Sequence, residues 1–453
     1  TQKISQTAPW KKYSAVFILA ALIAGGGVWW QQQPDFKPAN QSKFAFKLPD
    51  KPSIAVLPFN NMSGDPSKDY LGDGLSENII AVLATSPDLF VIARNSSFTY
   101  KGKAVKVQEV AEQLGVRYVL EGSVQQSGEK LRVTAQLVDA VDGKHLWAER
   151  YDRKLDDLFA MQDEITNKIF YEMHVKLTIG ERANDWQKHF GDPEGMRLHM
   201  KGFDRFLTFT LDGHQDAERI YGELYKKNPE GGMANLDMGW IHWQKIVMGL
   251  TNDPKQSIKL GREFGEKAHA IMGDGGSLTL LAWFDLFEQD FESAIENARR
   301  ATEISPSDGN TAAIAGTVYR NSGKSEESAI LLKRAMRLQP YHPKWYAWQL
   351  GISLLVLEKY DEAEEIFEAV LKSDTEIVSD KYAALAGLAV ISVFRQNLEN
   401  AEKYASQLTE LVVYGKKFNI SVLAPIFGLM KEQEFAKRFL DALRQLGVPD
   451  KSE

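Results

Sequence analysis

A repeat of 34 residues in the second half of the chain limits the possible folds more than any other feature of the sequence. Pro306 and Pro340 are 34 apart, as are Ala301 and Ala335, Ile304 and Leu338, and Leu281 and Ala315. Ala282 and Gly316 take the small position on the first helix of a pair, where its partner comes close, and Ala294 and Ser328 take it on the second. With one extra residue the register continues through Gly351, Leu354, Ala363 and Phe367, inside EKYDEAEEIFEAVL. Fainter copies fall around Gly387 with Ala401 and Ala405, and upstream around Ala217, Tyr221 and Leu224 with Pro229. A helix pair of this length cannot bury its apolar face alone. Neighbouring pairs must stack, and stacking generates a superhelix with a concave groove.

A helix–turn–helix of this period, with small residues at the crossing points and proline at its end, resembles the tetratricopeptide repeat. The resemblance covers roughly residues 195–445 and implies an all-α solenoid, assigned to residues 192–447, that binds protein or peptide partners. First-helix side chains line the groove in such a repeat. Asn310, Thr317, Arg320 and Asn321 from one copy, with Trp345 and Trp348 from the next, therefore form the candidate partner-binding set. Arginine and asparagine would hold a carboxylate or peptide backbone, and tryptophan would supply apolar area. The alternative is that these tryptophans pack between repeats, as Trp240 and Trp243 would upstream.

Ahead of the repeats the pattern is different. Ser53–Phe59 is a short apolar run closed by turn residues Asn60–Asp65. Leu71, Leu75, Ile79 and Leu83 recur at helical spacing and predict a helix over 70–85. Leu89–Ala93 reads as a strand and Val107–Leu114 as a helix stopped by Gly115. Residues 118–124, 131–138 and 144–151 read as an antiparallel meander turning at Ser127–Gly128 and Asp142–Gly143. An amphipathic helix from Leu155 to about Leu177 completes a small α/β domain over residues 52–180. Gly72–Asp73–Gly74 predicts a turn ahead of the first helix, with Asp73 or Ser76 as its cap, and Ala93–Ser97 a strand end closed by its own hydroxyls. The functional alternative gathers Asp73, Arg94, Asn95 and Ser96 into a polar pocket at the strand ends.

The stretches PSIAVLPFNNMSGDP, YLGDGLSENI, FVIARNSSFTYKGK, LGVRYVLEGSV, RVTAQLVDA and HLWAERYDR resemble, in order and spacing, the TolB amino-terminal-like (FlgO-like) domain over about residues 52–170. The resemblance implies a fold and a setting. Such domains commonly lie beyond a transmembrane helix in bacterial class III adenylate cyclases and in CadC-like winged-helix regulators. It brings no catalytic residues with it.

The setting agrees with Ser14–Trp30, seventeen residues without a charge. As a helix they extend about 25 Å, near the lower limit for a bilayer core. Lys11 and Lys12 abut this segment while Lys37, Lys43 and Lys47 lie farther off, which predicts a cytoplasmic N-side. The chain is thus expected as a single-pass protein of the inner membrane, with residues 31–453 in the periplasm. Residue 1 is Thr and its neighbours are polar, so residues 1–13 read as the cytoplasmic stub of an upstream domain. Residues 31–51, with Pro34, Pro38 and Pro49, read as a semi-extended linker. One span passes a signal most easily by rearrangement within a dimer, so a homodimer is compatible with this plan.

Composition narrows the chemistry. The chain has no cysteine, which excludes disulfides, thiol nucleophiles and cysteine-bearing zinc sites. A net charge of −7 disfavours nucleic acid as a partner. None of the eight histidines forms an i, i+4 pair, and HExxH, GxGxxG and GxSxG are absent. Gly323–Lys324–Ser325 ends like a phosphate loop, but Val318 stands where the first glycine is required. The sequence predicts no cofactor, no metal and no catalytic site. The expected function is a membrane-anchored, non-catalytic sensory or scaffold module. The alternative makes the chain the regulatory half of a class III adenylate cyclase, or of a winged-helix regulator, whose output domain lies upstream.

Overall fold

A computed structural model describes residues 38–87, 89–172, 190, 192–373 and 375–451. The predicted span at 14–30, the stub before it and the first part of the linker lie outside the described residues. Among those described, no helix is long and apolar enough to cross a membrane.

The N-terminal unit is built on strands β1 (Ser53–Val56), β2 (Asn60–Asn61), β3 (Phe90–Val91), β4 (Tyr118–Ser127), β5 (Lys130–Asp139) and β6 (Lys144–Lys154). They form one mixed sheet in the order β3-β1-β4-β5-β6, with β2 also paired to β4. β1 runs parallel to β3 and β4, and β4, β5 and β6 form the predicted antiparallel meander. Four helices accompany the sheet: α1 (Asp69–Ala84), α2 (Arg94–Phe98), α3 (Val107–Leu114) and α4 (Leu158–Glu172). The apolar stripe Leu71, Leu75, Ile79 and Leu83 of α1 joins Leu158, Met161 and Ile165 of α4 over one face of the sheet. Val110, Ala111 and Leu114 of α3 cover Ala55, Val119 and Val138 on the other.

Two local expectations change. Gly72 and Gly74 lie inside α1 rather than in a turn before it. A Cβ on Gly72 would fall 2.1 Å from the Phe59 carbonyl oxygen, so this glycine lets the helix approach the end of β1. Asp73 does not cap the helix. Ser76 instead donates to the Gly72 carbonyl at 2.8 Å and accepts from the Phe59 amide at 2.9 Å. Residues 94–98, read as a strand end, form the short helix α2.

From Pro193 the chain forms helical pairs: α5 (Pro193–Phe206) with α6 (Leu211–Lys227), α7 (Gly232–Val247) with α8 (Pro254–Met272), and α9 (Gly275–Phe287) with α10 (Phe291–Ile304). These are followed by α11 (Gly309–Asn321) with α12 (Ser325–Leu338), α13 (Lys344–Val356) with α14 (Tyr360–Lys372), and α15 (Val378–Phe394) with α16 (Leu398–Glu410). Seven of the twelve starts carry a side-chain cap: Asp192, Thr210, Asp253, Asp274, Asp290, Asp308 and Asn397 each accept an amide of the first turn. Each pair turns through one left-handed residue ahead of its second helix, namely Phe209, Gly249, Gln289, Gly323, Glu358 and Gln396. The first helices touch one another in succession and form the inner layer of the solenoid.

After Glu410 the chain leaves the repeat geometry. A hairpin of β7 (Val412–Val413) and β8 (Lys416–Lys417) leads to a 3-10 turn at Ile420–Val422, then to α17 (Ala424–Phe427) and α18 (Gln433–Gln445). This segment folds back onto the inner layer, where Phe418, Leu423, Phe427, Met430 and Phe439 share a core with α13 and α15.

The α/β unit is docked on the solenoid through backbone and side chains. The Ala93 amide donates to the Leu338 carbonyl at 3.0 Å, and the Ser307 amide to the Ala84 carbonyl at 3.1 Å. The Arg337 guanidinium of α12 donates to the carbonyls of Gly115 at 3.2 Å and Lys47 at 3.1 Å. It also lies over the rings of Phe46 and Phe90. A cation placed at the C-terminal carbonyls of α3 is favoured by the helix dipole.

Candidate protein-binding site

The inner layer between α7 and α15 is where the side chains predicted to bind a partner can be located. Thr317 is buried and donates to the carbonyl of Ala313 in its own helix at 3.0 Å. Asn310 is exposed and accepts from the Tyr346 hydroxyl at 2.5 Å. Trp345 is half-buried, edge-on to Tyr346 with ring centroids 4.4 Å apart. Trp348 is buried and donates its indole N–H to Asp380 at 3.1 Å. Burial pushes the Asp380 carboxyl up, opposed by hydrogen bonds from Thr375 and Trp348.

Arg320 is the most unusual of the set, the largest side chain in the described chain with no exposed surface. Its guanidinium donates to the Gln349 side-chain oxygen and, at 3.3 Å, to Asn321. Burial pushes its pKa down to about 10, opposed by the nearby carboxylate of Glu432. Glu432, in turn, has its carboxyl pushed up by burial. Neither group is fully matched: Arg320 Nε and Glu432 Oε2 lack a hydrogen-bond partner among the described residues. The same holds for Asn321 Nδ2, Ser322 Oγ and Ser325 Oγ, all in the α11–α12 turn. The Lys431 amide crosses to the Asn321 carbonyl at 2.7 Å.

Arg320, Asn321 and Trp348 thus come together under the C-terminal segment, while Asn310 and Trp345 stand toward the edge facing the α12–α13 turn. Between segment and floor remains a cavity of about 20 Å³, lined by Arg320, Trp348, Ile352 and Tyr382 from below and Phe427 and Met430 from above. Farther along, Leu429 reaches Trp240, Trp243, Trp283 and Val318. Residues of the segment itself were not foreseen from sequence as part of the site. Their one sequence signal is an amphipathic pattern that does not follow the repeat register.

The second candidate set, at the strand ends, is divided among ion pairs. Asp69, Asp73 and Glu77 form a stripe along α1. Asp73 pairs with Lys101, which also lies 3.7 Å from Asp69, and Glu77 pairs with Arg94 at 2.7 Å. Arg94 stacks over Phe98 at 4.2 Å and faces Phe203 of α5 at 5.8 Å. Ser96 is buried and accepts from the Tyr341 amide at 2.8 Å, and Asn95 is partly exposed on the same short helix. Arg94 and Ser96 meet the solenoid, so this polar run takes part in domain docking.

Residues 349–411 match the family model described as tetratricopeptide repeat. The helical region thus contains tetratricopeptide repeats. Residues 50–168 match the model described as HilA/YgeH-like transcriptional regulator, second domain, a different description from the TolB amino-terminal-like domain expected from the motifs. A protein of Rhizobium meliloti (strain 1021) named "Putative adenylate cyclase 3" is 43% identical over 232 residues, which are 51% of this chain and 39% of that one. The chain therefore spans well under half the length of that curated relative. Among solved structures, pilF of Pseudomonas aeruginosa is similar at 14% identity and a TM-score of 0.34, over 48% of this chain and 93% of that one. TolB of Acinetobacter baumannii is similar at 20% identity and a TM-score of 0.21, over 28% of this chain and 30% of its own.

Proposed function

We propose that this chain is a non-catalytic sensory or scaffold module that binds a protein or peptide partner in the concave groove of its repeats. The observation that carries the reading is that this groove already holds a polypeptide: residues 418–448 lie against α11, α13 and α15 with their apolar side chains inward. The tetratricopeptide match and the polar, tryptophan-bearing floor at Arg320, Asn321 and Trp348 support the same use. In this reading the α/β unit, with its TolB amino-terminal-like motifs, is a rigid platform, and residues 14–30 tether the module in the inner membrane with residues 31–453 outside the cytoplasm.

Photo-cross-linking in living cells tests the binding. A photoreactive residue at Asn310 or Trp345, at the groove rim, is expected to give a discrete adduct. The same residue at Glu326 or Glu365, exposed on second helices, is expected to give none. Equal yields from both faces would sink the proposal.

The aligned relative named as an adenylate cyclase favours a second reading, in which this module regulates a cyclase domain. The regulator-type family match would attach it instead to a winged-helix domain. In both, the groove partner is the input. Cyclic nucleotide levels in cells with and without the encoding gene separate these outputs.

A further inference from the structure

We propose that residues 418–451 are a resident, displaceable occupant of the groove, holding the place of a partner segment that presents large apolar side chains followed by a carboxylate. The inference rests on the reading of the groove as a protein-binding surface and adds what it binds and how access to it is controlled.

The segment is a closed unit. Near its start the Ile420 amide donates to Pro449 at 2.8 Å and the Ser421 amide to Asp450 at 3.0 Å, so its two ends are tied together. Its attachment to the rest of the chain runs through the β7–β8 turn, where Gly415, Lys416 and Lys417 are exposed. Across the groove floor its backbone makes the one Lys431–Asn321 hydrogen bond among those described, and the remaining contact is made by side chains.

The fit against the floor is incomplete in two independent ways. A cavity persists at the seam between Trp348 and Tyr382 below and Phe427 and Met430 above. Buried polar atoms of Arg320, Asn321, Ser322, Ser325 and Glu432 have no hydrogen-bond partner among the described residues, and the Glu432 carboxylate acts electrostatically on Arg320. A segment fused permanently into a core normally reaches interior packing density and satisfies its polar groups. Single unmatched atoms also occur elsewhere, as at Asn235 and Gln162, but five of them gather at this seam, next to the cavity.

Chemistry identifies what the groove takes. The Glu432 carboxylate lies against the α11–α12 turn, with one oxygen 3.2 Å from where a Cβ on Gly323 would stand. This turn carries the Gly323–Lys324–Ser325 sequence, and α12 starts there without a side-chain cap, leaving its first amides to favour an anion. Phe427, Met430 and Leu429 precede the carboxylate and take the apolar floor. A partner with the same order of side chains, and with better hydrogen bonding to Arg320 and Ser322, would compete. The tether gives the resident segment an effective concentration on the order of millimolar. Weak partners are thereby excluded until the segment opens.

The test inserts a specific protease site between Gly415 and Lys416 in the full chain. After cutting, a fluorescein-labelled synthetic peptide of residues 418–451 is titrated in. Exchange is expected: rising anisotropy, with release of the unlabelled fragment detected by mass. The uncut chain is expected to bind the same peptide at least 100-fold more weakly, because the tethered copy competes. A peptide carrying Glu432→Gln should bind about tenfold more weakly, and one carrying Phe427→Ser and Met430→Ser should not bind measurably. As a second route, uncut chain with Phe427→Ala and Met430→Ala should admit the wild-type peptide without cutting. Failure of exchange in both routes while circular dichroism stays native would overturn the proposal, as would collapse of helicity on losing the fragment. The outcome is separable from that of the binding reading. Groove adducts without exchange would remove only the resident occupant, whereas exchange without groove adducts would remove the partner.

Discussion

Replacing Gly387 by alanine is a sharp test of how the repeats hold together. Phe367 of α14 has no exposed surface, and its ring fills the space left by Gly351 of α13 and Gly387 of α15. A Cβ on Gly387 would lie 2.4, 2.6 and 2.8 Å from three atoms of that ring. Carbon atoms pack comfortably at about 3.5–4.0 Å, so the ring or the helix must move by roughly 1 Å. Overpacking of this kind costs about 1–3 kcal/mol. Alanine recovers about 1 kcal/mol over glycine in a helix interior, leaving a net loss of about 0–2 kcal/mol. Gly222 of α6 is the control, because nothing stands within 4 Å of its added Cβ. There only the helix term acts, and Gly222→Ala should gain about 0.5–1 kcal/mol. Urea denaturation followed by far-ultraviolet circular dichroism reads both. Adding Phe367→Leu to Gly387→Ala should restore part of the loss, since the smaller side chain makes room. A Gly387→Ala protein more stable than the wild type, with both substitutions raising the midpoint, would refute the packing argument.

Arg337→Ala should loosen the α/β unit from the solenoid by on the order of 3 kcal/mol, from lost charged hydrogen bonds and stacking on Phe46 and Phe90. Calorimetry should then resolve two unfolding transitions where the parent shows them merged. His242 is buried against Phe264, and burial pushes its pKa down to about 4. The unfolded imidazole, near pH 6.5, binds more protons, so stability from this group is complete above about pH 6.5 and is lost as pH falls toward 4. His242→Phe should flatten the fall over that window by on the order of 1–2 kcal/mol, measured by urea titrations at each pH. Gln396→Gly should raise the urea midpoint slightly, by about 0.5–1 kcal/mol, because Gln396 occupies a left-handed turn at φ 59°.

The parts of this fold visible in the sequence are those fixed by local chemistry. The meander of β4, β5 and β6 follows from alternating apolar residues and glycine turns at Gly128 and Gly143, both with positive φ. The repeat register follows from small residues at Gly316, Gly351 and Ala363, which meet large neighbours across helix contacts. The upstream pairs were faint because their turns keep a different spacing. Left-handed turn residues are 34 apart from Gln289 to Gly323, but 40 apart from Phe209 to Gly249 and again to Gln289. Four of those six turns also use a residue other than glycine, so the usual marker is missing.

The candidate sites depend on contacts distant in sequence, and there local reasoning ran short. Arg94 and Asp73 have the polar character of a pocket, yet their partners Glu77 and Lys101 consume them. Arg320 is placed on the inner layer by its helical register. Its complete burial is set by the segment around Glu432, whose amphipathic pattern reads locally like one more repeat helix. Only the assembled groove shows that the apolar face of α18 packs onto α13 and α15.

Native-state hydrogen exchange of the intact chain, read by mass spectrometry across low urea concentrations, tests the central claim most directly. The account predicts that amides of residues 418–448 open together, at lower free energy than those of α11, α13 and α15, as a separate cooperative unit over a groove that stays folded. Exchange of the segment at the same free energy and with the same urea dependence as those helices would make it a fixed part of the core and contradict the account.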